Sequence, residues 1–191
     1  MAGGVVVTPQ SFTFVTYDAA TVGTITEKLA GQLGLSAAAI EVEIDEKTPL
    51  GRVRVESIGS DDEPVRLFVE GGALEDPTAP RDLSERLTAE VIGRLLLRVV
   101  DRRSGAFDAA PPDADLTLQQ STAWDTCCMG RLERLGYDVR PARRRYHFRT
   151  RHGFNDVADA VFDRLWAQDT VSWDDVVAAC TETDAARQPA A

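Results

Sequence analysis

Lysine, histidine and cysteine are scarce in this 191-residue chain: two lysines stand against nineteen arginines, with two histidines and three cysteines. Cys127 and Cys128 are adjacent and Cys180 is alone, which makes neither a disulfide framework nor the CxxC bite of a zinc site and fits a reducing compartment. The shortage of histidine bears on Arg151-His152-Gly153, which spells the RHG of histidine phosphatases. That chemistry places the motif after an early strand and needs a second active-site histidine; the only other one, His147, lies five residues upstream. No run approaches the roughly 18 apolar residues of a transmembrane helix, and the opening MAGGVVVTPQ has no charged segment followed by an apolar one. Ser57, Ser60 and Ser104 lack a GxSxG context, and no GK[ST] follows Gly71-Gly72 to form a phosphate cradle. There is no internal repeat. These absences describe a soluble, cytoplasmic protein with no membrane segment, and arginine in place of lysine beside abundant alanine is the mark of high-GC coding.

What is present is acid, unevenly placed. The chain carries a net charge of −10, yet residues 131–152 hold 8 basic and 2 acidic side chains. An overall charge of this sign argues against non-specific nucleic-acid binding, so the basic island needs its own explanation.

The longest helical pattern is Arg81 to Arg103. Leu83, Leu87, Val91, Leu95 and Val99 fall on one stripe at 3.6-residue spacing, widened by Ile92, Leu96 and Val100, so a central core helix is expected. Asp82 and Ser84 are N-cap candidates, and Arg98, Arg102 and Arg103 suit the C-terminal end of the dipole. Strands are expected at Ser11–Tyr17, Ile40–Ile44, Arg52–Ser57, Val65–Glu70 and Arg143–Arg151 from alternation of apolar and polar residues. Further helices are expected at Thr21–Leu33, Leu118–Leu135, from Asn155 or Asp156 through Trp166, and from Ser172 through Val177. The sum is an α+β chain: an N-terminal mixed β-sheet packed by the long central helix, then a mostly helical C-terminal part with one Arg-rich strand. One domain over 1–182 is expected, with a loop at 104–116 and a disordered tail at 183–191.

The pieces EVEIDEKTPLGRVRVES, VRLFVEGGALEDP and DLSERLTAEVIGRLL, read in that order, resemble the minimal zincin-like metallopeptidases of actinobacteria and related bacteria. In that family a helix carrying HExxH follows two such strands. The aligned residues here are Ala89-Glu90-Val91-Ile92-Gly93: the glutamate is kept and both histidines are gone. A methyl group and a hydrogen offer no lone pair to zinc. The carboxylate that the family sets beyond its motif would fall near Val99, with Asp101 two residues on. The resemblance, which covers about a third of the chain, implies a zincin-like fold with no metal, no cofactor and no peptidase activity. The plainer reading is that Ala89 and Gly93 are helix-packing residues and Glu90 a solvated flank.

The second constellation is PARRRYHFRTRHGF. On a strand, Arg143, Arg145, His147, Arg149 and Arg151 project one way, while Tyr146 and Phe148 face the core. Such a row, with His152 beside it, is either a strip for an acidic partner or anion, or is neutralised by the chain's own Asp156, Asp159 and Asp163. The functional expectation is a non-catalytic binding or scaffold module that engages a protein partner or acidic ligand through this strip, with nucleic acid disfavoured. Two alternatives stand beside it. One is a metal-independent enzyme with Glu90 as general base, aided by an arginine or histidine in a cleft. The other is a binder of a small anion or phosphate ligand. Pairing of Cys128 with His147 or His152 as thiolate and imidazole is the remaining catalytic option, set against the usual role of such cysteines as inert core.

Overall fold

The structure, a computed structural model, describes residues 3–187. The chain is α+β and divides into two compact units, Met1–Val100 and Asp101–Ala191. The sequence predicts a single domain over 1–182. Among the described residues no helix is long and apolar enough to cross a membrane.

The first unit is built on a four-stranded sheet of β1 (Val5–Thr8), β2 (Ile40–Asp45), β3 (Val53–Ile58) and β4 (Val65–Glu70), in the order β1-β2-β4-β3. Strands β1, β2 and β4 run parallel, and β3 pairs antiparallel with β4. Alternation in the sequence decides the faces. Val7, Ile40, Val42, Ile44, Val65, Leu67 and Val69 are buried, while Glu41 and Arg66 project to the other side and meet at 3.3 Å. Helix α1 (Ala19–Gln32) makes the crossover between β1 and β2 and packs on β1. Asp18 caps it by accepting the N–H groups of Ala20 and Thr21, and Gly34, at φ 75°, closes it. After β4 come a single 3₁₀ turn at Gly71–Ala73 and a short hairpin of β5 (Glu75–Asp76) and β6 (Ala79–Leu83).

The strand expected at Ser11–Tyr17 does not form, and β1 comes from Val5–Thr8 instead. The alternation misleads because the segment's N–H groups are taken elsewhere. Thr13 and Phe14 donate to the Glu46 carboxylate, both at 2.7 Å, and Thr16 donates to the Arg81 carbonyl at 2.9 Å.

Helix α2 (Glu85–Arg103) begins four residues later than its apolar pattern, because β6 uses Ala79–Leu83. Val91, Ile92, Leu95, Leu96, Leu97 and Val99 are buried, which makes it a core element as its stripe required.

The second unit contains α3 (Leu118–Arg134), α4 (Pro141–His152), α5 (Asp156–Ala167) and α6 (Trp173–Ala185). Capping boxes at Thr117/Gln120 and Ser172/Asp175 start α3 and α6, and Asn155 caps α5. Phe107, from the loop before α3, stacks on Trp124 at 4.1 Å between ring centroids. Thr183, placed in the tail by the sequence reading, is buried in α6, and residues 188–191 of that tail lie outside the described residues.

Helices α3 and α5 cross at Gly130. A Cβ there would sit 2.0 Å from the Trp166 carbonyl oxygen, a distance that backbone cannot accept. Gly130→Ala gains about 1 kcal/mol of helix propensity, but it must part the two helices. The expected net result is a loss of about 3 kcal/mol, read as a lower urea midpoint at unchanged slope. A midpoint equal to wild type would show that the two helices slide freely.

Candidate functional site

Glu90 is 4% exposed, and its carboxylate accepts Nη1 of Arg86, one helical turn earlier, at 2.9 Å. It is therefore not the solvated flank of the plainer reading. Ala89 and Gly93, on either side of it along α2, bring no donor atoms. Among the described residues no group of three or more His, Cys, Asp or Glu side chains is arranged to hold a metal ion. Asp101, close to where the resemblance implies a carboxylate ligand, is engaged in structure. It accepts Nε1 of Trp124 at 2.8 Å and Nη1 of Arg131 at 2.6 Å.

The Arg-rich segment expected as a strand is helix α4. Pro141 stands in its first turn, where proline is favoured, and only Phe148 and His152, four residues apart, turn inward. A helix sorts the cations differently from a strand. Arg149 grips Asp159 of α5 with two hydrogen bonds, at 2.7 and 2.5 Å, and Arg145 pairs with Asp163 and lies 3.6 Å from Asp159. The hydrogen bond from Arg149 holds the Asp159 carboxyl below its ordinary value. Arg145 also covers the Phe162 ring at 4.3 Å. These two arginines are thus neutralised within the chain, as one of the two sequence readings had it.

Arg143, His147 and Arg151, spaced four apart, lie along the outer side of α4, and Arg140 is its N-cap; all four are exposed, and among the described residues none forms an ion pair. Partial desolvation by its neighbours, and then the charges of Arg144, Arg143 and Arg151, push His147 below the ordinary imidazole value. Tyr146, expected in the core, is 60% exposed and meets Phe154, 65% exposed, edge to face at 5.8 Å. The inner and outer positions of a strand differ from those of a helix, and Tyr146 changed sides with the element.

His152 is not part of any strip. Its Nε2 lies 3.1 Å from the Gln119 carbonyl and its Nδ1 2.9 Å from the Thr183 hydroxyl, and its ring stacks on Phe148 at 3.9 Å. A carbonyl only accepts, so Nε2 carries the proton and Nδ1 accepts from the hydroxyl. Burial lowers its pKa to about 4. With both ring nitrogens engaged, it serves neither as a nucleophile nor as the base for a cysteine. Burial pushes Cys127 up to about 12 and Cys128 well above the ordinary thiol value, so neither is a thiolate at neutral pH.

Sequence reasoning passed over a cleft of about 510 Å³ in the first unit. It opens where β1, β2 and β4 end, between the segments that follow them: Thr13–Val15, Glu46–Pro49 and Gly71–Gly72, with Glu75, Pro80 and Arg81 opposite. Glu90 is not among its lining residues. The available signal is Gly71-Gly72 directly after a strand, a pair that the sequence excludes as a phosphate cradle because no GK[ST] follows it. No family model matches the chain, and neither a curated protein nor a solved structure shows significant similarity to it.

Proposed function

We propose that the chain is a non-catalytic binding module on a zincin-like framework, one that engages an acidic protein segment through the outer face of α4. The observation that carries this reading is the division of the α4 arginines. Two are consumed by Asp159 and Asp163, whereas Arg143 and Arg151, with His147 and the N-cap residue Arg140, are exposed and form no ion pair among the described residues. Guanidinium forks of this kind suit carboxylates, and the exposed Tyr146–Phe154 pair beside them offers an apolar anchor of the type found at interface centres. Two aromatics packed edge to face do not make the successive stacking platform of a single-strand binder. In support of the absence of catalysis, the two places where the resembled family holds zinc carry Ala89 and Gly93, and Glu90 is tied to Arg86.

The test is fluorescence anisotropy with a labelled alternating Glu-Tyr peptide, with single-stranded DNA of equal charge as competitor. Binding to the peptide is expected, weakening with salt, and the double variant Arg143→Glu/Arg151→Glu should lose at least about tenfold in affinity, which is about 1.4 kcal/mol. Undiminished binding by that variant, or preference for DNA, overturns the partner assignment. One zinc per chain in elemental analysis of the purified protein overturns the metal-free framework.

A further inference from the structure

We infer that the cleft at the carboxyl ends of β1, β2 and β4 binds a small organic carboxylate with an apolar body. This inference concerns the first unit alone and stands independently of the α4 surface.

Position is the first argument. In open sheets with parallel strands, ligands collect outside the carboxyl ends of the strands, where successive loops converge. Three parallel strands deliver their loops to this one cleft. Its volume of about 510 Å³ lies within the range of small-molecule sites.

Construction is the second argument. Each wall is braced by another. The Glu46 carboxylate holds the N–H groups of Thr13 and Phe14, and the N–H and hydroxyl of Thr16 donate to the Arg81 carbonyl at 2.9 and 3.0 Å. The Glu75 carboxylate accepts the N–H of Arg81 at 3.1 Å, and the buried Tyr17 hydroxyl donates to the Gly71 carbonyl at 2.7 Å. At Gly72 a Cβ would lie 2.2 Å from the Pro49 carbonyl oxygen, so the turn after β4 presses directly on the loop after β2. An irregular segment held this firmly is a preformed cavity wall.

Charge and strain give the ligand's chemistry. Of the two lining carboxylates, Glu46 accepts two backbone N–H groups and Glu75 accepts one. The two lining cations, Lys47 and Arg81, are exposed, and among the described residues neither forms an ion pair. Arg81 stands at φ 71°, a conformation that glycine adopts without strain and arginine does not. Keeping an arginine there makes sense if its guanidinium has a use. Phe14, 55% exposed, with Val15, Pro49 and Pro80, supplies an apolar surface beside the cations. Lys47 and Arg81 balance the two carboxylates of the lining, and the excess of acid elsewhere in residues 1–100 acts from farther off, where salt screens beyond about 8 Å at physiological ionic strength.

The experiment uses 3-phenylpropanoate as probe, with 3-phenylpropanamide and 3-phenylpropylamine as neutral and cationic analogues, read through the backbone amide shifts of Thr13, Gly71 and Gly72. The carboxylate is expected to shift these amides saturably, with a Kd on the order of millimolar or tighter, and both analogues at least about tenfold more weakly. Arg81→Gly should keep or raise Tm, because it relieves the left-handed backbone, and should lose at least about tenfold in carboxylate affinity. If that variant fails to fold, Lys47→Gln carries the same expectation for affinity. Equal or better binding of the amine or the amide, undiminished binding by the folded variant, or unmoved cleft amides with every probe would each overturn the assignment.

Discussion

Asp101→Ala should lower stability by about 3–5 kcal/mol, the cost of leaving buried partners of a removed charge unpaired. Asp101 is 5% exposed and serves two donors at once, the Trp124 indole and the Arg131 guanidinium. Removing it strands a partly buried cation and a fully buried indole N–H beside the Phe107–Trp124 stack. At roughly 2–4 °C per kcal/mol for a chain of this size, Tm falls by about 10 °C. Asp101→Asn, which can still accept from the indole, should lose less. The double variant Asp101→Ala/Arg131→Met should recover part of the loss, since it removes the stranded charge as well. A single variant within about 1 kcal/mol of wild type would mean that water reaches Arg131 and that the site is not the pin described here.

Acid should begin to loosen the protein above the range where ordinary carboxylates titrate. His152 is fully buried and its pKa is lowered to about 4, chiefly by burial, with Arg187 lowering it further while Asp184 and the bond to Gln119 oppose the shift. In the unfolded chain the same imidazole takes its proton near 6.5, so below that pH the unfolded state binds more protons than the native one. Stability is therefore complete above about pH 6.5 and is lost progressively as pH falls, until the native ring also protonates near 4. The loss is on the order of 3 kcal/mol. Urea unfolding at pH 7.5 and 4.5 measures it. His152→Gln, which cannot titrate, should start less stable and show a much flatter slope over that window, while His147→Gln should keep most of the slope. A wild-type midpoint unchanged between the two pH values would contradict the assignment of His152 as a neutral pin between α3, α4 and α6.

The helices were legible where capping residues and apolar spacing agreed. Helix α3 lies within one residue of its expected bounds, and glycines with positive φ, Gly34 and Gly136, follow α1 and α3 just beyond the expected ends. The central helix was found through its stripe, but not its start, because β6 takes residues that continue the same apolar rhythm. The two wrong strands share a cause. In SFTFVTY and RRRYHFRTR the alternation of polar and apolar residues is real, yet alternation specifies a strand only where a neighbouring strand supplies a ladder. At Thr13 and Phe14 a distant carboxylate supplied the acceptor instead. In α4 the two inward residues are four apart, and Pro141 ahead of them was the signal that weighed too little. The anionic neutralisers of Arg145 and Arg149 were legible, since Asp159 and Asp163 repeat at helical spacing in the next element. The cleft was not, because it is made by loops that follow three separate strands, and no local pattern records which loop ends meet.

The order of the sheet places its shortest strand, β1, on one side and β3 on the other. In β3 the pairing with β4 slips between Val55 and Ser57, so Glu56 is an extra residue in the ladder. Such a bulge bends the strand and breaks the regular row of peptide groups that an incoming strand needs. With only four residues in β1, neither outer strand offers a long straight template, so edge-to-edge joining of sheets from different molecules into cross-β aggregates is discouraged by backbone geometry.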